Sequence, residues 1–315
     1  MAFFSDLHRG ALALSVLLWS GCASAPAGQG SDASPRAIAC SLAGPSDRPF
    51  ESLSHLFESG NPGYGLTWIA EANGCEADDS ARVIFVQTGE CRGTIASSDD
   101  SEEATTSELR VGDIVVLRAG ESIAFEPQIS ALVFDVPMAP PASVPTFVRP
   151  DFDPLLTDTP GGCAEEDDAY RRILLTWQGK VGPYLYHAIN AHRVRILDSF
   201  THYHPKEGGF DEFYLVQEAP PGAELIVSEH LDAIQGLAAV TRDDVQDLLR
   251  RIPLSAGDLI YLPRTVVHRG LGGAVVQVIT VPGFVPGAEI GVDSDLTKLN
   301  RRLGLSGDQA LPVHR

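Results

Sequence analysis

Positive charge is scarce in this chain. Its 315 residues carry 23 lysines and arginines against 42 aspartates and glutamates, a net charge of −19. Phosphate binding needs a basic face, so the balance argues against nucleic acid as a partner. Charged residues make up only 21% of the chain and hydrophobic ones 44%, enough apolar material for two domains of ordinary size. Beyond the N-terminus no stretch is long and apolar enough to span a bilayer. Cysteine is sparse as well, with five in the chain and none at zinc-ligand spacing. Much of the acidity is local: Glu76, Asp78 and Asp79 form one cluster and Asp99, Asp100, Glu102 and Glu103 another, read as solvated loops with a divalent-cation surface site as the alternative.

One apolar run does occur, at the start. Arg9 closes a short polar lead, and Ala11 to Trp19 have the length of an export-signal core, too short for a transmembrane helix. Ser20-Gly21-Cys22 follows at once and resembles a bacterial lipoprotein processing site, in which the Cys becomes the lipid-bearing first residue. Trp19 stands where that site usually has Leu, and Ala23-Ser24-Ala25 offers ordinary signal-peptidase cleavage as the alternative. Residues 1–22 are read as a signal peptide and 23–44 as a flexible tether opening on Ala, Ser, Gly and Pro. The expected location is the bacterial cell envelope, lipid-anchored through Cys22, or else soluble in the periplasm or secreted. An oxidising compartment permits disulfides among Cys40, Cys75, Cys91 and Cys163. Cys75 and Cys91, flanking one predicted strand, are the favoured pair among three connectivities.

Chemistry concentrates in the C-terminal half. His202 and His204 sit two apart in a segment read as a strand, so both project from one face with Tyr203 on the other. Two neutral imidazoles side by side are what a divalent metal asks for. A carboxylate on the returning strand, Glu212, and a later histidine, His268, complete a three-nitrogen, one-oxygen shell. Seven residues separate His204 from Glu212. Gly208-Gly209 among them suits a wide hairpin loop, and Glu207 and Asp211 are rival carboxylates. Glu212 is in register with the strand Phe213-Tyr214-Leu215-Val216, whereas Asp211 falls on the opposite face.

These segments resemble the two motifs of the cupin superfamily. His202-Tyr203-His204, Glu212 and the aromatic-aliphatic strand after it match the first; Gly257, Asp258, Pro263 and His268 match the second in register. The spacer before Glu212 is longer than the family's usual one, and Thr265 replaces a Gly. The resemblance covers the C-terminal half. It implies an antiparallel jelly-roll barrel holding one divalent transition metal (Fe, Mn, Ni, Cu or Zn, with Fe or Mn favoured) through His202, His204, Glu212 and His268.

A divergent copy precedes it. Ala81–Gln87 parallels Asp211–Gln217, and Gly112–Gly120 parallels Gly257–Thr265. Arg82 stands where Glu212 does and Ile123 where His268 does, so the first copy is expected to be metal-free. The fold class is thus all-β: tandem antiparallel jelly-roll barrels, a bicupin, with a helical insertion in the second and a short C-terminal helix. The expected division is a degenerate barrel over 45–139, a Pro-rich linker over 140–165, the metal-binding barrel over 166–290, and a helix and tail over 291–315. Within the insertion between Gln217 and Leu254, Thr241 is the expected N-cap of a helix carrying Val245, Leu248 and Leu249. The insertion either covers the barrel mouth as a lid or packs outside.

Strand alternation places Tyr214 in the cavity beside Glu212, as a general acid, a hydrogen-bond donor or barrel packing. Arg264 is the candidate for a substrate carboxylate, its fork suiting bidentate contact, or else lies exposed at the rim. His187 and His192 are read as structural or surface residues. An octahedral metal with four protein ligands keeps two positions for O₂ and substrate. The expectation is an exported mononuclear-metal oxidoreductase of dioxygenase type, acting on a small oxygen-rich molecule with Glu212 and Tyr214 as catalytic groups. Two alternatives stay open: a non-enzymatic metal- or ligand-binding envelope lipoprotein, and a metal-dependent isomerase or lyase on a carbohydrate-like substrate. Membrane contact is expected only through the lipid, and barrel edges suit a homodimer unless the tandem copy supplies that contact. Cys22→Ala is expected to move the protein from the membrane fraction to the soluble one; unchanged fractionation would rule out the lipid anchor.

Overall fold

Val83-Ile84-Phe85-Val86 and, apart from Gln277, Val275-Val276-Gln277-Val278-Ile279 are apolar on both faces, as strands buried on both sides require. The computed structural model describes residues 35–42, 48–97, 104–162, 169–236 and 238–314. The signal segment, Cys22, Cys163 and the acidic cluster at 99–103 lie outside the described residues. In chain order the elements are β1 (Ile38–Ser41), α1 (Arg48–Gly60), β2 (Gly65–Glu76), β3 (Ala81–Thr88), β4 (Glu90–Ser97), β5 (Thr105–Arg110), β6 (Ile114–Leu117), β7 (Glu121–Val136), β8 (Phe147–Val148), β9 (Arg171–Leu175), β10 (Asn190–Asp198), β11 (His202–Tyr203), β12 (Asp211–Glu218), β13 (Glu224–Ser228), α2 (Leu231–Ile234), α3 (Val245–Leu248), β14 (Arg250–Pro253), β15 (Asp258–Leu262), β16 (Val267–Val281), β17 (Ile290–Gly291) and α4 (Asp293–Leu303).

Strands β2–β8 form a 7-stranded antiparallel sheet, and β1 with β9–β17 a 10-stranded one. Each sheet curls around one long strand. The first part of β7 pairs with β4 and its last part with β3. In β16, Val267–Leu271 pair with β13, whereas Ala274–Val281 pair with β10 and β12. A strand shared in this way between two faces rolls its sheet into a jelly-roll barrel.

The internal repeat is reproduced residue by residue. Arg82 lies opposite Leu117 and Phe85 opposite Ile114 in the first copy; Glu212 lies opposite Leu262 and Leu215 opposite Leu259 in the second. Gly112 donates its amide to the Val86 carbonyl, and Gly257 to that of Val216. Both glycines take the left-handed conformation that the turn needs, with φ of 97° and 92°. Asp113 and Asp258 each accept the amide three residues upstream, that of Arg110 or Ser255.

Several expectations are corrected. The presumed tether contributes a strand: Ile38–Ser41 pair with β15 on the edge of the second sheet. The Pro-rich connection likewise contributes β8, which pairs with β6 in the first sheet. Thr241 does not cap α3; its amide and hydroxyl both donate to Asp244, which takes the N-cap position of a helix only four residues long. Val245 and Leu248 still turn inward, and the insertion packs outside the barrel. Its Ile234 and Leu248 join Leu296 and Leu299 of α4 against Tyr203 and Val267, the residues that alternate with the candidate ligands. Cys40, Cys75 and Cys91 are free thiols, so Cys75 and Cys91 are not bridged.

Between the two sheets lies a common core. Helix α1 presents Leu53 and Phe57, one turn apart and fully buried. Phe57 meets Phe134 of the first sheet edge-on at 5.7 Å and Phe213 and Tyr261 of the second at 5.0 and 6.0 Å. Polar ties cross the same boundary: the Gln87 amide donates to the Val216 carbonyl and the Gln277 amide to that of Gly112, both at 2.7 Å. Phe57→Ala is expected to cost about 3–5 kcal/mol and, because both barrels lean on this ring, to shift a single cooperative transition in urea. Two separated transitions, with only one displaced, would show that the barrels unfold independently.

Candidate metal centre

Four side chains converge inside the second barrel. One donor atom each from His202, His204, Glu212 and His268 lies within 4.8 Å of all the others, and all four residues are buried. Glu212 Oε2 lies 3.6 Å from His204 Nε2, and Oε1 lies 3.4 Å from His268 Nε2. Sheet register brings them together. His202 is directly opposite His268 across β11 and β16, and Glu212 enters from β12, which pairs with the far end of β16.

Each imidazole is aimed by its other nitrogen. His202 Nδ1 lies 3.1 Å from the Phe200 carbonyl and His268 Nδ1 3.2 Å from that of Val266. A carbonyl only accepts, so Nδ1 carries the proton and Nε2 presents a lone pair. His204 bonds the Phe210 backbone in the same way. All three Nε2 atoms and Glu212 Oε1 are buried with no hydrogen-bond partner. Aromatic rings fix the imidazole planes, Phe200 stacking on His202 at 4.4 Å and Phe210 against His204 at 3.9 Å. The start of β11 is held by Asp293 at the head of α4, which accepts from the Thr201 amide and hydroxyl at 2.8 and 2.7 Å.

Electrostatics match this geometry. Burial, reinforced by the neighbouring His268, pushes His202 down to about 3. Burial pushes His268 down to about 4 and holds His204 well below the usual histidine range. Burial raises Glu212 to about 7, against the pull of His202 and a hydrogen bond from Tyr214. Four desolvated groups with converging lone pairs would be costly if left uncompensated. A cation satisfies all of them at once. The set is a site for one divalent transition metal, with the nitrogen-rich composition that suits Fe, Mn, Ni, Cu or Zn.

The rival carboxylates are placed elsewhere. Glu207 is exposed. Asp211, on the other face of β12, accepts from Asn61, the Tyr261 hydroxyl and the Arg264 amide at 2.6, 2.8 and 2.9 Å. The long spacer folds tightly at Gly209, where a Cβ would lie 2.1 Å from the Pro205 carbonyl oxygen. Thr265, standing where the cupin motif has Gly, adopts a φ of 73°. That strained conformation is held by its amide, which donates to the His204 carbonyl at 2.7 Å. Arg264 is not brought to the cavity: its guanidinium lies 3.3 Å from the Gly209 carbonyl and 3.0 Å from Asn61 Oδ1, bracing the spacer loop. Tyr214 is fully buried, with its ring edge-on to His268.

Glu212 also borders a cavity of about 180 Å³, lined by Ile173, Val181, Asn190, His192, Thr280, Phe284, Glu289 and Arg171 among others. Of the structural and surface readings, His192 takes the buried one, with Nε2 unpartnered. Burial and the Arg171 charge hold it well below the usual histidine range. Glu289 is raised to about 7 by burial and by Glu212, with Arg171 opposing. Counting two residues back from His192 gives Asn190 on the same face, and pairing Glu212 across β16 gives Thr280. Nothing in the sequence marks Glu289.

In the first barrel, Arg82 occupies the Glu212 position and is paired with Asp135 at 2.7 Å, where Asp135 corresponds to Thr280. Ile123, at the His268 position, is core.

No family model and no curated protein matches the chain. Among solved structures, the formate complex of Lactobacillus farciminis oxalate decarboxylase is similar at 15% identity and a TM-score of 0.46, over 81% of this chain and 85% of that one. Bacillus subtilis oxalate decarboxylase at pH 4.6 is similar at 13% identity and a TM-score of 0.47, over 88% and 81%.

Metal and proton compete for Glu212, whereas the histidines stay neutral until far lower pH. Metal affinity is therefore expected to fall about tenfold per pH unit below about 7, in step with a single proton. Chelator competition across this range checks the slope. Glu212→Gln should weaken binding and flatten the pH dependence; an unchanged slope in that variant would place the competing proton elsewhere.

Proposed function

We propose that the second barrel is the mononuclear metal centre of an exported oxidoreductase that oxidises a small oxygen-rich molecule. The observation that carries the metal centre is the convergence of three buried, unpartnered Nε2 atoms and one carboxylate on a single point. A small substrate is supported by the cavity that opens beside Glu212 and by its size, about 180 Å³, well under the roughly 300–1,000 Å³ of pockets for drug-sized ligands. Bound at this point, a divalent metal supplies Lewis acidity and open coordination positions for oxygen ligands.

The chain's own groups do the rest. The carbonyls of Phe200 and Val266 hold the imidazoles in the tautomer that presents Nε2. The Tyr214 hydroxyl donates to Glu212 and fixes the orientation of its carboxylate. Glu289, facing the cavity and raised to about 7, can accept or return a proton near neutral pH. Ile173 and Phe284 give the cavity an apolar side. Export, with a lipid anchor at Cys22, belongs to the same proposal and rests on the N-terminal sequence alone.

His202→Ala and His268→Ala are each expected to bring metal content below about a tenth of wild type, measured by elemental analysis of purified protein. Unchanged content would overturn the site. For the reaction, Fe- or Mn-loaded protein is expected to consume O₂ with at least one member of a panel of small diols, hydroxy acids and keto acids. Full metal occupancy with no O₂ uptake across the panel would reject oxidation and leave a metal-binding protein.

A further inference from the structure

Three strands lay a row of polar side chains across the cavity floor. Asn190 on β10 is directly opposite Thr280 on β16, and Thr280 is directly opposite Glu212 on β12. The row thus runs from the metal ligand outward. One step along the same face, His192 is opposite Val278, and Val278 is opposite Tyr214. Asn190 Oδ1, Thr280 Oγ1 and His192 Nε2 all lack a hydrogen-bond partner. Their residues are only 7%, 2% and 9% exposed. Buried polar atoms without partners are costly, and three of them line one small cavity beside the metal position.

Their chemistry narrows what fits. The Asn190 oxygen can only accept, the Thr280 hydroxyl donates and accepts, and a neutral imidazole nitrogen does one or the other. A ligand carboxylate also only accepts and cannot satisfy the Asn190 oxygen. A ligand hydroxyl, being donor and acceptor at once, can serve each of the three. The volume of about 180 Å³ equals roughly six water molecules' share of liquid, which sets the scale at a short carbon chain.

We propose that Asn190 and Thr280, backed by His192, read adjacent hydroxyl groups of a small polyhydroxylated substrate. This rests on the metal-centre reading above and names the substrate class for it. The three residues are specificity determinants that contact substrate and leave the metal ligands untouched.

The test uses full-length protein loaded with Zn, a diamagnetic metal, whose uptake is measured first. Saturation-transfer NMR then compares erythritol with succinate, a dicarboxylate of equal heavy-atom count. Erythritol is expected to bind and succinate to bind more weakly or not at all. Thr280→Val and Asn190→Ala are each expected to weaken erythritol binding about fivefold at unchanged Zn content. Thr280→Ser, which keeps the hydroxyl, should bind as wild type does, separating recognition from a packing defect. Zn-loaded protein that ignores erythritol, prefers succinate, or is indifferent to both truncations overturns the substrate class and leaves the metal centre standing. Wild-type protein that takes up no Zn overturns the centre itself and this reading with it.

Discussion

Desolvation of three imidazoles and one carboxylate around a common point is the constraint that organises the second barrel. Apart from the Tyr214 hydroxyl that Glu212 accepts, the converging atoms recover nothing in the protein for what they lose on leaving water, because they face one another as lone pairs. Their arrangement must therefore be enforced from outside, and the surroundings are built for that. Two backbone carbonyls select the tautomers, two phenylalanine rings clamp the imidazole planes, and Asp293 pins the strand end that carries His202. Helix α4 and the insertion make a small apolar cluster on the outer face of the same strands, so that the ligand-bearing segment is held from both sides.

The first barrel shows what the same backbone does when that constraint is lifted. Register, turn glycines and turn aspartates repeat, yet Arg82 and Asp135 form an ion pair where Glu212 and Thr280 stand in the second copy. One lattice of strands thus supports two solutions. One neutralises its polar groups internally; the other leaves lone pairs for a cation and, at Asn190 and Thr280, unpartnered polar atoms beside it. The degenerate copy has kept a structural task, supplying Phe85 and Phe134 to the core that both sheets share through Phe57.

How much of this was legible in the sequence follows from the range of the forces involved. His202, His204, Glu212 and His268 were readable because strand alternation and turn chemistry are local, and the sheet needed only to bring two such segments together. The repeat was readable for the same reason. The cavity was not. Asn190 and His192 reach it through cross-strand register with β16, and Glu289 through a loop without any periodic signal. Arg264 went to bracing because Asp211, facing away from the metal position, together with Asn61 and the Gly209 carbonyl, offered it partners nearer than the cavity. Ile38–Ser41 looked like tether because a strand of four residues has little pattern of its own; its structure is dictated by the open edge of β15.

That short strand alters what the N-terminal segment is for. An uncovered β15 would offer a row of free amides and carbonyls to any passing chain, the template on which strand-by-strand aggregation grows. By occupying it from Ile38 opposite Tyr261 to Ser41 opposite Asp258, the segment acts as a hem on the metal-bearing barrel. Residues 38–41 are thereby stitched to the sheet edge two strands from Glu212. The edge strand and the metal ligands thus share one fabric, and shortening the chain past residue 42 would bare the edge of the sheet that carries them.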